Sequence, residues 1–251
     1  MGMQTRQSQR RRQVLSRERI VEAAIELLDT AGEGTLTVRA LSEHLSTGSG
    51  AIYHHVGNMS ELLQAATDSV IAAGLPAHPA AAGPAPGPGA GTAGAPEDGI
   101  RTVALSLYDA VAEHPWLATQ LASQITRSPW GAVTPRVFES IGRHVRAMGV
   151  PRRTWFTTTS TLVHYILGAT TQNSRTTAAE GAGKGPATET ERAEFLDSAS
   201  RAWQELDPDD YPFLHDIADQ MREHDDREQF LTGIDLILTG ITATSPPAAA
   251  G

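Results

Sequence analysis

Near the start of the chain, Ile20, Ala24, Leu27 and Leu28 follow one another at i, i+4, i+7 and i+8. That spacing buries one side of a helix and leaves Arg17, Glu18, Glu22 and Glu26 in water. Ser16 stands where an N-cap belongs, and the glycines at 32 and 34 end the helix near Ala31. Thr37 caps a second, brief helix that turns Val38, Leu41 and Leu45 to one side, with Ala40 small enough for a crossing helix to approach. Residues 46–50 are too few and too polar for an element of their own, and helical spacing resumes over 51–56 with Ile52 and Val56 inward. Helix, short turn and helix is the helix-turn-helix pattern, whose second member lies in the DNA major groove.

The rest of the pattern is also helical, so the fold class is all-α. Apolar positions at helical spacing predict helices over 100–114, 116–126, 135–148, 153–176 and 189–206, then a short one to about residue 223. A last helix, capped by Asp225 or Asp226, carries Phe230, Ile234, Ile237, Leu238 and Ile241. That aliphatic stripe is too wide for a solvated end, and 153–176 is apolar on more than one side through Phe156, Leu162 and Ile166. These eight residues are assigned to the interface with a second copy of the chain. Proline and glycine break the pattern over 76–99, which reads as a linker, and again over 181–188. The chain thus divides into a basic arm expected to be disordered (1–15), a helix-turn-helix domain (16–75), a linker (76–99), a helical-bundle domain (100–244) for ligand binding and dimerisation, and a disordered tail (245–251).

The run AIYHHVGNMSELL, preceded by TVRALSEHL, resembles the DNA-binding domain of the TetR family of transcriptional repressors. HPWLA at 114–118 and DREQFLTGIDLILTGI at 226–241 are similar to the all-helical regulatory domain of its tetracycline-repressor subgroup. The resemblance implies a dimer on a double-stranded operator, a four-helix interface formed by 153–176 and 226–240, and release by a small molecule. It places Thr37, Val38 and Arg39 at base or backbone contacts and Ser49, Gly50, Tyr53 and His54 on the exposed face of the recognition helix, with His55, Asn58 and Met59 just beyond. The chemistry agrees: Arg39 can fork onto guanine O6 and N7, while Tyr53 and Thr37 can donate to phosphate oxygens. Two residues depart from the family pattern. Met59 stands where a lysine usually supplies charge to a phosphate, leaving the N-terminus of the following helix to attract it. Ser46 occupies a turn position where glycine is common.

Charge is unevenly distributed. The whole chain carries −9, which by itself argues against a nucleic-acid binder. Residues 1–19 nevertheless hold six arginines, Arg10, Arg11 and Arg12 among them, against one glutamate. Such an arm can follow a minor groove or raise nonspecific affinity, and a solubilising terminus accounts for it too. Residues 186–228 carry 14 acids against four arginines, so the far end is repelled by DNA or is simply a solvated surface. With no cysteine in the chain, disulfides and thiolate chemistry are excluded. No apolar run approaches membrane-spanning length and no signal-peptide pattern is present, which predicts a cytoplasmic protein with no membrane partner.

Polar and aromatic residues on otherwise apolar helices are the candidates for an effector pocket. Gln120, Gln124, Trp130 and Phe138 come first along the chain, followed by His144, Trp155, His164, Tyr165 and Gln172. A hydrogen-bonded core histidine and packed tryptophans would explain several of them equally. A largely hydrophobic, aromatic effector is expected, and no cofactor. An enzyme is the rival class: His215-Asp216 and His224-Asp225-Asp226 set imidazoles beside carboxylates, but at no metalloprotease or EF-hand spacing. No phosphate-cradling loop or nucleophile elbow occurs. The remaining alternative, a nonspecific architectural DNA-binding protein, leaves the large helical domain without a purpose.

Overall fold

The computed structural model describes residues 15–75, 94–178 and 189–244, so the arginines at 10–12, most of the predicted linker, the 181–188 loop and the tail lie outside the described residues. Among the described residues all regular structure is helical. The α-helices are α1 (Arg17–Ala31), α2 (Val38–His44), α3 (Ser49–His55), α4 (Met59–Gly74), α5 (Pro96–Glu113), α6 (Leu117–Arg127), α7 (Val133–Ala147), α8 (Trp155–Ala178), α9 (Glu189–Gln204), α10 (Pro212–Arg222) and α11 (Asp226–Thr244).

Three of the first four helices, α1, α2 and α4, begin where a short polar side chain can accept from a free backbone N–H. Ser16 Oγ accepts from Arg19 N at 3.3 Å, Thr37 Oγ1 from Ala40 N at 3.1 Å and Asn58 Oδ1 from Glu61 N at 2.9 Å. Gly32, at φ +74°, closes α1. α5 begins at Pro96, inside the stretch read as linker. Proline at the first helical position needs no N–H partner and has its φ preset, and Glu97 and Asp98 sit at the positive end of the helix dipole.

One continuous apolar core runs through both halves of the chain. Ile20, Leu41, Ile52 and Leu62 fill the N-terminal unit, and Ile100, Leu117, Ile141, Leu162 and Ile234 fill the bundle. α4 belongs to both, packing on α1 and also on α5, α6 and α7. A second junction is polar. Asp29, near the end of α1, accepts at one carboxylate oxygen from both His114 Nδ1 and the buried Trp116 Nε1, each at 2.7 Å. Glu33 accepts from Gln120 Nε2 at 3.0 Å. α9 and α10 pack chiefly on each other, and Arg192 ties α9 to the start of α11 by reaching both oxygens of Asp226 at 2.7 Å.

Candidate nucleic-acid interface and regulatory sites

The turn between α2 and α3 is held by backbone bonds from Ser46 N to Glu43 O (3.2 Å) and from Thr47 N to Ser42 O (3.0 Å). Ser46 takes φ +50°, the one non-glycine residue at positive φ among the described residues. The left-handed conformation that the serine was expected to fit poorly is therefore adopted. With the turn so fixed, Leu41 and Ile52 are wholly buried and carry the packing of α2 on α3.

Burial of Ile52 dictates what faces outward. Ser49, Gly50 and His54 are exposed, Tyr53 is 54% exposed, and a Cβ at Gly50 would meet open space. These side chains and the α3 backbone form one accessible strip. Arg39 is also exposed, with its Nε bonded to Glu43 Oε1 at 2.9 Å. An exposed i,i+4 pair is worth only a few tenths of a kcal/mol, so Arg39 can leave it for a base at little cost. The Thr37 hydroxyl accepts from Ala40 N and keeps its hydrogen for an outside acceptor.

Other candidates in this unit are engaged within the protein. Val38 and Met59 are half-buried against the core. Asn58 is consumed as the cap of α4, accepting from Glu61 N and donating to Glu61 Oε1 at 2.8 Å. What it leaves outward is the N-terminus of α4 itself, whose free N–H groups suit a phosphate. His55 is half-buried, its ring edge-on to His54 at 5.4 Å.

In the bundle the candidate effector residues scatter. Gln120 is bound to Glu33, and Trp130 is 83% exposed in the α6–α7 turn. His164 and Gln172 are exposed on α8. Tyr165 donates its hydroxyl to Phe230 O at 3.1 Å, stacks on Phe230 and lies across Gly233, so it pins α8 to α11 and is not available to a ligand. His144 sits under Gly99, where burial, then Arg143, lowers its pKa and favours the neutral ring. Phe138 and Trp155 do come together, with Phe156, around an open groove of about 760 Å³ between α7 and α8 that also presents Arg143 and Arg146. Trp155 Nε1 donates to Val150 O at 2.6 Å, and Arg146 lies over its ring. Gln124 alone of the set is buried in the core, with neither amide atom paired among the described residues.

The interface assignment needs correction. Leu162, Ile166, Phe230, Ile234 and Leu238 are all buried within a single chain, and Ile237 and Ile241 are half-buried against the same core. Periodicity cannot separate an apolar face that packs on its own chain from one that packs on a copy. Phe156, 76% exposed and stacked on Phe138, is the exception. The surfaces that α8 and α11 leave open are different: Thr161, His164 and Gly168 on one, Leu236 and Gly240 on the other, with Leu236 70% exposed.

The histidine–aspartate pairs have other partners. His224 Nε2 lies 2.8 Å from Asp226 Oδ1, but Asp226 is already neutralised by Arg192, whose charge repels a cation. His215 Nε2 lies 2.6 Å from Leu206 O. No group of three potential metal-ligating side chains occurs among the described residues, nor is any of their helices long and apolar enough to cross a membrane.

Comparison with known proteins places these observations. Residues 20–66 match the description "Bacterial regulatory proteins, tetR family", and residues 86–245 match "Tetracyclin repressor-like, C-terminal domain". The structure of the transcriptional regulator SCO7222, a TetR from Streptomyces coelicolor, is 55% identical, with a TM-score of 0.77 over 92% of this chain and 100% of that one. ActR of Streptomyces coelicolor, in complex with actinorhodin, shares the fold at 24% identity and a TM-score of 0.68, over 92% of this chain and 98% of its own. An HTH-type transcriptional regulator of Saccharopolyspora erythraea is 28% identical over 165 residues, 66% of this chain and 64% of that relative's length.

Proposed function

Since the chain belongs to the TetR family of DNA-binding transcriptional regulators, we propose that it acts as a repressor, bound as a dimer to a palindromic operator and released by a small effector. The observation that carries this reading is the division of α3 into a face closed by Ile52 and an open one presenting Ser49, Gly50, Tyr53 and His54. Arg39 supplies a base-reading fork, Thr37 and Tyr53 hydroxyls for phosphates, and the N-terminus of α4 a further anion site. One such unit reads few base pairs, and a two-fold dimer sets two recognition helices ~34–36 Å apart along the duplex. The second copy docks on the open faces of α8 and α11, around Leu236, Thr161, His164 and Gly168. The arginine arm adds nonspecific affinity that falls with salt.

An effector acts only if it binds the two conformers differently. α4 is the element through which that difference reaches DNA, because it packs at once on α1 and on α5, α6 and α7. That ActR, which shares this fold, forms a complex with actinorhodin supports a small-molecule effector.

The test is binding to the DNA upstream of the protein's own gene at two salt concentrations, beside an Arg39→Ala, Tyr53→Ala double variant. Saturable binding to one palindromic site, weakened at least ~100-fold in the variant, is expected, each base-reading or phosphate contact being worth roughly 1–3 kcal/mol. Equal binding of both proteins to any duplex, with a steep salt slope, would overturn the repressor reading in favour of an architectural role.

A further inference from the structure

Two parts of the regulatory domain expose aromatic rings to water, and their charges are opposite. The first is the groove between α7 and α8. Phe156 stands 76% exposed in it, stacked on Phe138 and next to Trp155. Arg143 and Arg146 line the same groove against a single acid, Glu139, and Arg146 and Arg152 lie 5.6 and 5.9 Å from the centre of the Trp155 ring. The second is the tip of the hairpin formed by α9 and α10. Over 205–213 it carries Glu205, Asp207, Asp209 and Asp210, all exposed, with no basic residue among them. Tyr211 and Phe213 are exposed beside these acids, Phe213 by 68%. The tip is nevertheless well fixed: Asp209 N donates to Asp207 Oδ1 and Tyr211 N to Asp207 O, each at 2.9 Å, and Pro212 opens α10.

We propose that the acidic tip of one protomer seats in the α7–α8 groove of its dimer partner, with Phe213 against Phe156 and Trp155 and the aspartates against the arginines. This rests on the dimer proposed above and adds to it a second contact, away from the open faces of α8 and α11. The tip does not fill the groove of its own chain, since no residue of 205–213 lines it. The hairpin is instead self-contained: α9 and α10 pack chiefly on each other, and Arg192 roots them at Asp226. α9 runs 16 residues from that root, which carries the tip ~24 Å outward, far enough to meet another molecule. A second copy fits the groove in both respects that matter. It brings aromatic rings to rings and four carboxylates to the arginines, and aromatic residues and arginine are the side chains that dominate protein interfaces. Two-fold symmetry makes the contact twice, once in each direction. Because the tip is ordered before it docks, little conformational entropy is lost on docking.

The chain has no cysteine, so a pair can be introduced without interference. The full chain carrying Phe156→Cys and Phe213→Cys, both at exposed positions, is treated with a short bismaleimide and its products are separated under denaturing conditions. A two-chain product is expected from the double variant and little of it from either single one. A link closed within one chain, a ladder of three or more chains, or equal linking in a single variant would overturn the proposal. Charge reversal tests the same contact without a cross-linker. Asp209→Arg with Asp210→Arg should raise the dimer dissociation constant at least ~10-fold in sedimentation at low salt, because like charges set across an interface repel. Adding Arg143→Glu and Arg146→Glu to the same chain should recover most of that loss. A reversal without effect, or a combination weaker than either parent, also overturns it. Sedimentation of the wild type separates the two readings: a monomer sinks the dimer and this inference together, and a dimer that fails the cross-link and the charge exchange sinks this inference alone.

Discussion

The DNA-facing unit and the regulatory bundle are built by different rules. In α1, α2 and α4 the N-terminal bonds close over three residues: Ser16 with Arg19, Thr37 with Ala40, Asn58 with Glu61. In the bundle, α5, α6 and α7 start without a side-chain cap, and polar partners come from far along the chain. Tyr165 reaches Phe230 O, Arg101 reaches Asp235 and Arg227 reaches Asp109. The caps of α1, α2 and α4 are specified by neighbours in sequence, so each of these can be altered alone. The bundle is specified by neighbours in space, so one change is felt on two helices.

Substitutions can sharpen or break this contrast. The largest effect is expected at Gly233, where an added Cβ would collide with the Tyr165 hydroxyl. Gly233→Ala must swing the ring off Phe230 and break its bond to Phe230 O, and overpacking of this kind costs about 1–3 kcal/mol. Urea denaturation should show the whole bundle melting earlier; a loss confined to α11 would contradict the long-range rule. Asn58→Ala removes one cap and should cost about 1 kcal/mol, with amide exchange accelerated at the start of α4 and unchanged in α7 and α8. Ser46→Gly is the smallest and has the opposite sign. Relief of the positive φ outweighs the added chain entropy by less than about 1 kcal/mol, and a modest rise in melting temperature is the expected outcome. A fall would mean that the Ser46 side chain contributes something its conformation does not reveal.

The same contrast explains what could be read from the sequence. Ser16, Thr37, the glycines after α1 and the Leu41/Ile52 pair declare themselves within a few residues, so the helix-turn-helix was legible down to the strained Ser46. The bundle's helices were legible as helices, since Ile100, Val137 and Ile141 keep the period. Their partners were not, because the stripe through Phe230, Ile234 and Leu238 looks the same whether it meets its own chain or another. Tyr165 resembled a ligand residue only until Gly233 and Phe230 were seen opposite it. The start of α5 was hidden by its proline, which reads as a breaker in a linker and as a starter at a helix end.

The Asp29 junction bears on how this chain could be recombined. Exchanging the recognition unit between related proteins assumes that it behaves as a cassette, cut free anywhere between α4 and α5. Here one carboxylate oxygen on α1 serves both the imidazole of His114 and the indole of Trp116. A foreign unit without an acidic residue at that position would strand the indole N–H in the interior. A foreign body without the histidine–proline–tryptophan turn would leave the carboxylate without its two donors. A working chimera has to carry both halves of this contact across the splice.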